Sequence, residues 1–159
     1  MNLQTTGHGG VRFNPNLYKC GKVCLSLLGT WKGTQGEQWN KDTSTLLQVF
    51  VSIQALIFVE HPYFNEPSYE RWIGTPMGWV NSRVYNQNIK PETVRYAMIE
   101  MLRKPPPGFE DVIQTHFILK KKEILKQISK WEREQVHKKS NFRLAVTELR
   151  EELDKLPNK

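Results

Sequence analysis

Residues 14–28 read Asn-Pro-Asn-Leu-Tyr-Lys-Cys-Gly-Lys-Val-Cys-Leu-Ser-Leu-Leu, and this stretch decides how the rest of the chain is interpreted. Its second cysteine, Cys24, lies in a compact apolar run and follows Asn16 by eight positions. A lone cysteine in such a run is most often a small buried hydrophobic residue. Asn16 follows a proline, and its amide can donate a hydrogen bond to an oxyanion that forms beside a thiol. Two interpretations of Cys24 therefore stand at this point, a packed core residue and a nucleophile.

The sequence offers few partners for other kinds of cysteine chemistry. Cys20 is the other of the two cysteines in the sequence, and two are too few for a disulfide framework; it occupies a turn position before Gly21. Zinc would need two more ligands beside Cys20 and Cys24, and the four histidines show no paired spacing. No histidine lies in a triad-like arrangement near Cys24, which argues against a thiol protease. We therefore predict no metal, no cofactor and a reducing compartment, the cytosol or the nucleus.

Composition and charge fit one domain with an appendage. The chain has 159 residues, of which 38% are hydrophobic, and this length can support a buried core. Residues 120–159 hold 12 Lys and Arg against 7 Asp and Glu, whereas residues 1–119 hold 11 against 9. This basic tail could meet nucleic acid or an acidic protein surface, but its own acids and few aromatic residues favour a solvated helix of mixed charge. No apolar run approaches the length of a membrane span.

Hydrophobic periodicity predicts helices over most of the chain after residue 43. Ser44 can cap a helix over 44–59 that is apolar nearly all round, which predicts burial on all sides. Residues 68–84 contain two glycines, a proline and two tryptophans and are predicted to form a long loop. Helices are then expected over 90–102 and 109–117, and a last helical stretch from Leu119. Near the C-terminus, apolar residues form a heptad seam that we expect to dock on the domain: Phe142, Val146, Leu149, Leu153 and Leu156.

Three segments together resemble the ubiquitin-conjugating enzyme family. The Asn-Pro-Asn stretch and the Gly-Lys-Val-Cys-Leu run resemble the family's active-site segment, with its fixed eight-residue step from Asn16 to Cys24. Residues 46–59, with their Ser-Ile-Gln, resemble the helix that follows, and residues 62–67 resemble the acidic gate loop. The insertion Gly-Thr-Trp-Lys-Gly at 29–33 looks most like that of the large atypical members, the giant inhibitor-of-apoptosis type and the O and Z types.

The resemblance implies a partial catalytic domain of this family over residues 1–130 and a charged helical extension over 131–159. The implied fold class is α+β, a ubiquitin-conjugating-enzyme-like fold that lacks the N-terminal helix and the first strands and is therefore mostly helical in this chain. The domain is thus expected to be N-terminally truncated. Without the sheet, we expect Leu47, Val51 and Phe58 on the central helix to lose part of their cover.

The resemblance also implies a role for each residue of the motif. Cys24 would carry ubiquitin as a thioester received from an activating enzyme, and its sulfur is expected to be open to solvent beside Asn16. Asn16 would stabilise the tetrahedral oxyanion or support the loop over it. Glu66, in the gate loop, would orient or deprotonate the incoming lysine. Asn14 stands where the family commonly has histidine, although the atypical members also read Asn-Pro-Asn. The implied partners are ubiquitin, the activating enzyme and a ligase or substrate protein, with no membrane and with nucleic acid not favoured.

Plainer alternatives stay open for these residues and for the whole chain. Asn16 could be a turn residue that ties down its own backbone, and Glu66 could be a surface acid at a helix exit. The chain could be an inactive module that binds ubiquitin or a ligase through the loops around Trp72 and Trp79. It could also bind nucleic acid or an acidic partner through the basic tail. Whether the isolated chain can be charged stays open too, because in the family the first helix contacts the activating enzyme.

Overall fold

The computed structural model describes residues 1–34, 36–134 and 140–157, with residue 140 described by its backbone alone. The chain divides into two compact units, Met1–Ile89 and Lys90–Lys159. The described residues form isolated β-bridges but no extended strand, so the mostly helical character predicted from the sequence is confirmed for them. None of their helices combines the length and the apolar character needed to span a bilayer.

The helices, in chain order, are α1 (Leu46–Leu56), α2 (Pro76–Glu92), α3 (Glu100–Arg103), α4 (Glu110–Glu134) and α5 (Ser140–Asp154). A π-helical turn, Thr93–Ile99, lies between α2 and α3. Short 3-10 turns are found at Ser26–Leu28, Pro62–Asn65 and Glu70–Trp72.

The start of α1 is fixed by a capping box. Thr45, and not Ser44 as predicted, is the N-cap, because its hydroxyl accepts a hydrogen bond from the Gln48 backbone N–H at 3.3 Å. The Gln48 side chain accepts in return from the Thr45 N–H at 2.7 Å, so two backbone donors at the helix start are satisfied. The hydroxyl of Ser44 instead accepts from the Asn40 N–H in the preceding loop.

α1 buries one face and exposes the other. The buried face and the segment after it join the core of the first unit, which consists of Leu17, Val23, Leu25, Val49, Ile53 and Ile57. The prediction that this helix is buried on all sides is wrong, because no described element covers its second face. The expectation that three side chains of the predicted helix over 44–59 lose cover is confirmed, with Leu47 69% and Val51 53% exposed on α1 and Phe58 65% exposed just beyond it.

α2 occupies much of the segment that was predicted to be a loop. The helix begins at Pro76, in the first turn where a missing N–H costs nothing. The Thr75 hydroxyl accepts a hydrogen bond from the Gly78 N–H at 3.0 Å and caps the helix start. Gly78 packs so closely against the Trp72 carbonyl that a side chain would overlap it. The proline and glycine that indicated a loop therefore mark a helix start.

The second unit has a helical core of its own. Its buried side chains are Val94, Ile99, Phe117, Ile128, Phe142, Ala145, Val146, Leu149 and Leu153. Four residues of the heptad seam are among them and Leu156 packs against the cluster, which confirms that the seam docks on neighbouring helices. The helices predicted over 109–117 and from Leu119 are one continuous helix, α4, since no glycine or proline separates them.

The predicted domain boundary between residues 130 and 131 falls inside α4. The two compact units describe packing and do not test where a catalytic domain ends, so this boundary stays a prediction. Of the predicted extension over 131–159, residues 135–139, 158 and 159 lie outside the described part of the chain.

Candidate active site

Asn16 and Cys24 face each other in a short antiparallel pairing. The backbone N–H of Cys24 donates to the Asn16 carbonyl oxygen at 2.8 Å, and the next residues inward, Leu17 and Val23, form an antiparallel bridge. Side chains of directly opposite residues in an antiparallel pair lie on the same face, with Cβ atoms about 4.5–5.5 Å apart. The eight-residue step seen in the sequence therefore brings an amide side chain beside a thiol.

A tight turn sets this register. The Gly21 N–H donates to the Tyr18 carbonyl oxygen at 2.8 Å, and Gly21 has φ +83°, a left-handed conformation that favours glycine. The Leu3 N–H donates to the Gly21 carbonyl oxygen at 2.8 Å and anchors the turn to the start of the chain. Cys20 lies exposed in this turn, and the pairing places Cys24 opposite Asn16.

Asn14 is fully buried and ties three segments together. Its side-chain oxygen accepts from the Asn16 N–H at 2.8 Å and from Asn65 Nδ2 at 3.2 Å. Its side-chain nitrogen donates to the Ile57 carbonyl oxygen at 2.9 Å, just beyond α1. One amide thus fixes the active-site segment, the end of α1 and the gate loop, which explains how asparagine serves at this motif position.

Cys24 is buried and lies at the wall of a cleft. Only 3% of the residue is exposed, so the expectation that its sulfur is open to solvent is wrong, because Trp31 and the end of α1 line the cleft around it. It nevertheless lines a cleft of about 310 Å³, and the other residues that line it are Asn16, Leu25, Ser26, Trp31, Ala55, Leu56, Val59 and Asn65. A reactant would reach the sulfur through this cleft.

Tyr18 is a site residue that the sequence analysis missed. Its backbone N–H donates to the carbonyl of Lys22 at 3.0 Å, so it lies two residues from Asn16 on the same face of the pairing. A hydrogen bond between its hydroxyl and the Cys24 side chain raises the pKa of Tyr18 above its ordinary value. The O–H of this phenol can donate a hydrogen bond to sulfur. The two-residue spacing from Asn16 was the signal that could have found it.

Glu66 is held by Arg12 close to this cluster. Its carboxylate lies 3.6 Å from the Arg12 guanidinium, and both side chains are partly exposed. The Arg12 guanidinium lies over the Tyr18 ring, 5.0 Å from its centroid, so the three charged and aromatic groups form one patch. The gate-loop residue that lines the Cys24 cleft is Asn65, which the sequence analysis did not single out.

Residues 81–86 of α2 contact the gate loop and the residues just before it. The Asn81 side chain donates to the Tyr63 hydroxyl at 3.1 Å, and Ser82 Oγ lies 3.1 Å from His61 Nδ1. The Asn86 side chain donates to the carbonyl oxygen preceding the loop at 2.8 Å. These three contacts connect α2 to the turn Pro62–Asn65 and to the two residues that precede it.

The chemistry available in the cleft is that of a thiol with one amide and one phenol beside it. The Asn16 side-chain amide makes no hydrogen bond to any described residue, so its N–H groups are available to a bound oxyanion. Within residues 1–34, 36–134 and 140–157, no three His, Cys, Asp or Glu side chains gather to hold a metal ion. The arrangement suits nucleophilic attack at a carbonyl carbon.

Comparison with known proteins supplies close relatives over nearly the whole chain, although no family model matches it. The human dual E2 ubiquitin-conjugating enzyme/E3 ubiquitin-protein ligase BIRC6 is 49% identical over 170 aligned positions, covering 99% of this chain. A probable ubiquitin-conjugating enzyme of Acanthamoeba polyphaga mimivirus is 46% identical over 98% of the chain. Probable ubiquitin-conjugating enzyme protein 17 of Caenorhabditis elegans is 56% identical over 80% of it.

These relatives are much longer than the aligned region. The chain spans 4% of the length of the human protein, 11% of the viral protein and 17% of the nematode protein. The similarity to the human protein nevertheless extends over 99% of this chain. By this similarity the chain belongs to the ubiquitin-conjugating enzyme family and is like the very large member BIRC6.

Proposed function

We propose that this chain takes ubiquitin onto Cys24 as a thioester and passes it to a lysine side chain. The observation that carries the proposal is the register of Asn16 against Cys24, because it brings a nucleophile and an amide donor to the wall of one cleft. Family membership supports the same reaction class. The implied partners are ubiquitin, an activating enzyme and a ligase or substrate protein, in the cytosol or nucleus, where a thiol stays reduced.

The reaction proceeds in two acyl transfers. In the first, the Cys24 sulfur loses its proton and attacks the C-terminal carbonyl of ubiquitin, which the activating enzyme holds as a thioester; the new S–C bond forms as the old one breaks, and the released thiol takes up a proton. In the second, a lysine amine attacks the same carbonyl, the C–N bond forms, and Cys24 leaves as a thiolate. Both steps pass through a tetrahedral oxyanion, and Asn16 has the free donor for it.

Burial of Cys24 is compatible with this cargo. Ubiquitin ends in glycine, so the reacting carbonyl arrives on a chain end without a side chain and can enter a cleft of about 310 Å³. The hydroxyl of Tyr18 then donates to the sulfur and favours its departure as a thiolate in the second step. Glu66 and its partner Arg12 lie at the outer part of the site, where a lysine ammonium would first be met.

The test is a charging reaction with ubiquitin, an activating enzyme and ATP, followed by electrophoresis with and without a thiol reductant. We expect an adduct that the reductant removes. Cys24→Ala should abolish it and Cys20→Ala, the matched control on the exposed neighbouring cysteine, should leave it intact. An adduct that survives Cys24→Ala, or that disappears with Cys20→Ala, would contradict the assignment.

A second candidate function, binding of ubiquitin or a ligase without catalysis, has one observation in its favour. Apolar side chains remain exposed around the start of α2, with Trp72 39%, Ile73 57% and Met77 59% exposed. Trp79 is exposed to the same extent, 40%, but it also packs edge-on against Phe64 with ring centroids 5.4 Å apart. Failure of charging together with measurable ubiquitin affinity, lost on Trp72→Ala, would favour this candidate.

The basic tail has less in its favour as a binding surface. Several of its described basic residues are matched by neighbours: Arg150 lies 2.7 Å from Glu132, and Lys121 lies 3.2 Å from Asp154. Interleaved ion pairs of this kind are typical of a solvated helical surface, and they reduce the positive potential available to phosphates. Binding to DNA or RNA that falls steeply with salt, and is lost on deletion of residues 120–159, would reverse this assessment.

A further inference from the structure

We propose that Asn65 binds the attacking amine: its side-chain oxygen accepts a hydrogen bond from the nitrogen of the lysine that attacks the Cys24 thioester. The inference rests on the proposed function and adds to it a residue for the second step. It follows from the orientation of one amide, which the hydrogen bonds around it fix.

The side-chain nitrogen of Asn65 is fully used. It donates to the Leu56 carbonyl oxygen at 2.6 Å and to the Asn14 side-chain oxygen at 3.2 Å. A backbone carbonyl can only accept, so the nitrogen and not the oxygen must face Leu56. The orientation of Asn14 is settled in the same way, because its oxygen receives the Asn16 backbone N–H and its nitrogen faces the Ile57 carbonyl.

The side-chain oxygen of Asn65 is consequently left for a ligand. It receives no hydrogen bond from any residue in the described part of the chain, and Asn65 lines the same cleft as Cys24. With both N–H groups engaged, Asn65 cannot serve an oxyanion, but it can accept an N–H. Asn16 has the opposite character, since its amide donors are free. The cleft thus presents one donor for the oxygen and one acceptor for the amine.

The second acyl transfer needs such an acceptor. The neutral amine attacks with its lone pair, the C–N bond forms as the C–S bond to Cys24 breaks, and the nitrogen gives up a proton that the leaving thiolate or solvent takes. A hydrogen bond from one amine N–H to Asn65 would aim the lone pair at the carbonyl carbon. A neutral acceptor also stabilises the ammonium form less than a carboxylate would, so the reactive free amine is easier to reach.

The test separates lysine attack from every other step. Cys24 is loaded by thiol exchange with a ubiquitin C-terminal thioester, which bypasses the activating enzyme, and thioester loss is followed against free lysine concentration. For Asn65→Ala we expect the second-order rate with lysine to fall about tenfold or more, the size of a hydrogen bond to a charged or reacting group, while loading and spontaneous hydrolysis stay within about twofold. Asn81→Ala is the matched control, because it removes an amide that fixes the same turn from outside the cleft, and it should discharge to lysine at nearly the wild-type rate.

Each outcome decides one claim. If wild-type chain cannot be loaded on Cys24, the proposed function fails and this inference falls with it. If loading succeeds but Asn65→Ala discharges to lysine at the wild-type rate, or if loading, hydrolysis and discharge all fall together, only the role of Asn65 is overturned. Should Asn65→Ala not fold, Asn65→Gln keeps both polar atoms but displaces the oxygen by one methylene, and it should show the same selective loss with lysine.

Discussion

Cys24 donates its backbone N–H to the carbonyl oxygen of Asn16 at 2.8 Å, and the two residues stand opposite each other across a short antiparallel pair. Through this pairing, two residues eight positions apart in the sequence have their side chains next to each other in the cleft. Because side chains alternate along extended backbone, a shift of one residue would turn Asn16 away from the thiol. The register is therefore the part of the fold on which the proposed chemistry depends.

Asn16→Ala should slow transfer while leaving the fold intact. The backbone of Asn16 makes the pairing, and its side chain makes no hydrogen bond to a described residue, so removal of the side chain costs little stability. Loss of one oxyanion donor typically costs about 10²–10³ in rate, and we expect ubiquitin discharge to lysine to fall by about that factor. Single-turnover discharge and a thermal melt measure the two effects. A melting temperature that drops as far as the activity would show instead that Asn16 is a structural turn residue.

Gly21→Ala should destabilise the first unit more than the same change at Gly29. Both glycines have positive φ, +83° and +63°, so each alanine is strained by about 1–2 kcal/mol. At Gly21 the new Cβ would also overlap the Leu3 carbonyl and the Asn2 side chain, whereas at Gly29 it would meet open space. We expect a loss in the free energy of unfolding of roughly 2–4 kcal/mol for Gly21→Ala and about 1 kcal/mol for Gly29→Ala, measured by urea denaturation. Equal losses would mean that the turn adjusts freely.

Much of the site could be predicted from local sequence, and the remainder depended on tertiary contacts. The resemblance, with its fixed eight-residue step, predicted that Asn16 lies beside Cys24, and the pairing that brings them together is local, since it spans eight residues and a glycine turn. Asn65 could not be assigned, because its role follows from partners at Asn14 and Leu56 that only the folded chain brings to it. The burial of Cys24 was missed for the same reason, since the groups that line the cleft beside it, Trp31 and the end of α1, are brought there only by the fold.

The fold shows the same division. The resemblance predicted that Leu47, Val51 and Phe58 lose cover because part of the family's sheet has no counterpart here, and all three are exposed. Periodicity alone predicted that the helix is buried on all sides. The start of α2 was read as a loop because Pro76 and Gly78 are turn formers in isolation. In the structure both residues belong to the start of a helix, because Thr75 caps that helix and the Trp72 carbonyl lies against Gly78.

Glu66→Gln should slow discharge to lysine more than it slows charging of Cys24. The carboxylate pairs with Arg12 at 3.6 Å on a partly exposed surface, so its loss should change the free energy of unfolding by no more than about 1 kcal/mol. If Glu66 orients the lysine, the effect on discharge should stay below the roughly 10²–10⁴ typical of a general base. Glu70→Gln, the same change at an exposed acid in the following turn, is the control and should alter neither step. Equal loss in charging and discharge would indicate damage to the gate loop.

Tyr85→Phe should reduce the loss of stability at alkaline pH. Burial raises the pKa of Tyr85 to about 12, above the ordinary value of 10.0, and its hydroxyl donates to the Arg12 carbonyl oxygen at 3.0 Å. Between these two values the unfolded chain releases a proton that the folded chain keeps, so stability falls as the pH rises through this window. Phenylalanine has no proton to release, so the free energy of unfolding of the variant should fall less steeply between pH 10 and 12. Part of the fall should remain, because the pKa of Tyr18 is also raised. At pH 7 the variant should be about 1 kcal/mol less stable, because one hydrogen bond is lost.

Urea denaturation at pH 7 and across pH 10–12 measures these differences in the free energy of unfolding, and Tyr69→Phe, just after the gate loop, is the control for loss of a phenol elsewhere. A decline as steep as in the wild type would show that Tyr85 titrates alike in the folded and unfolded chain.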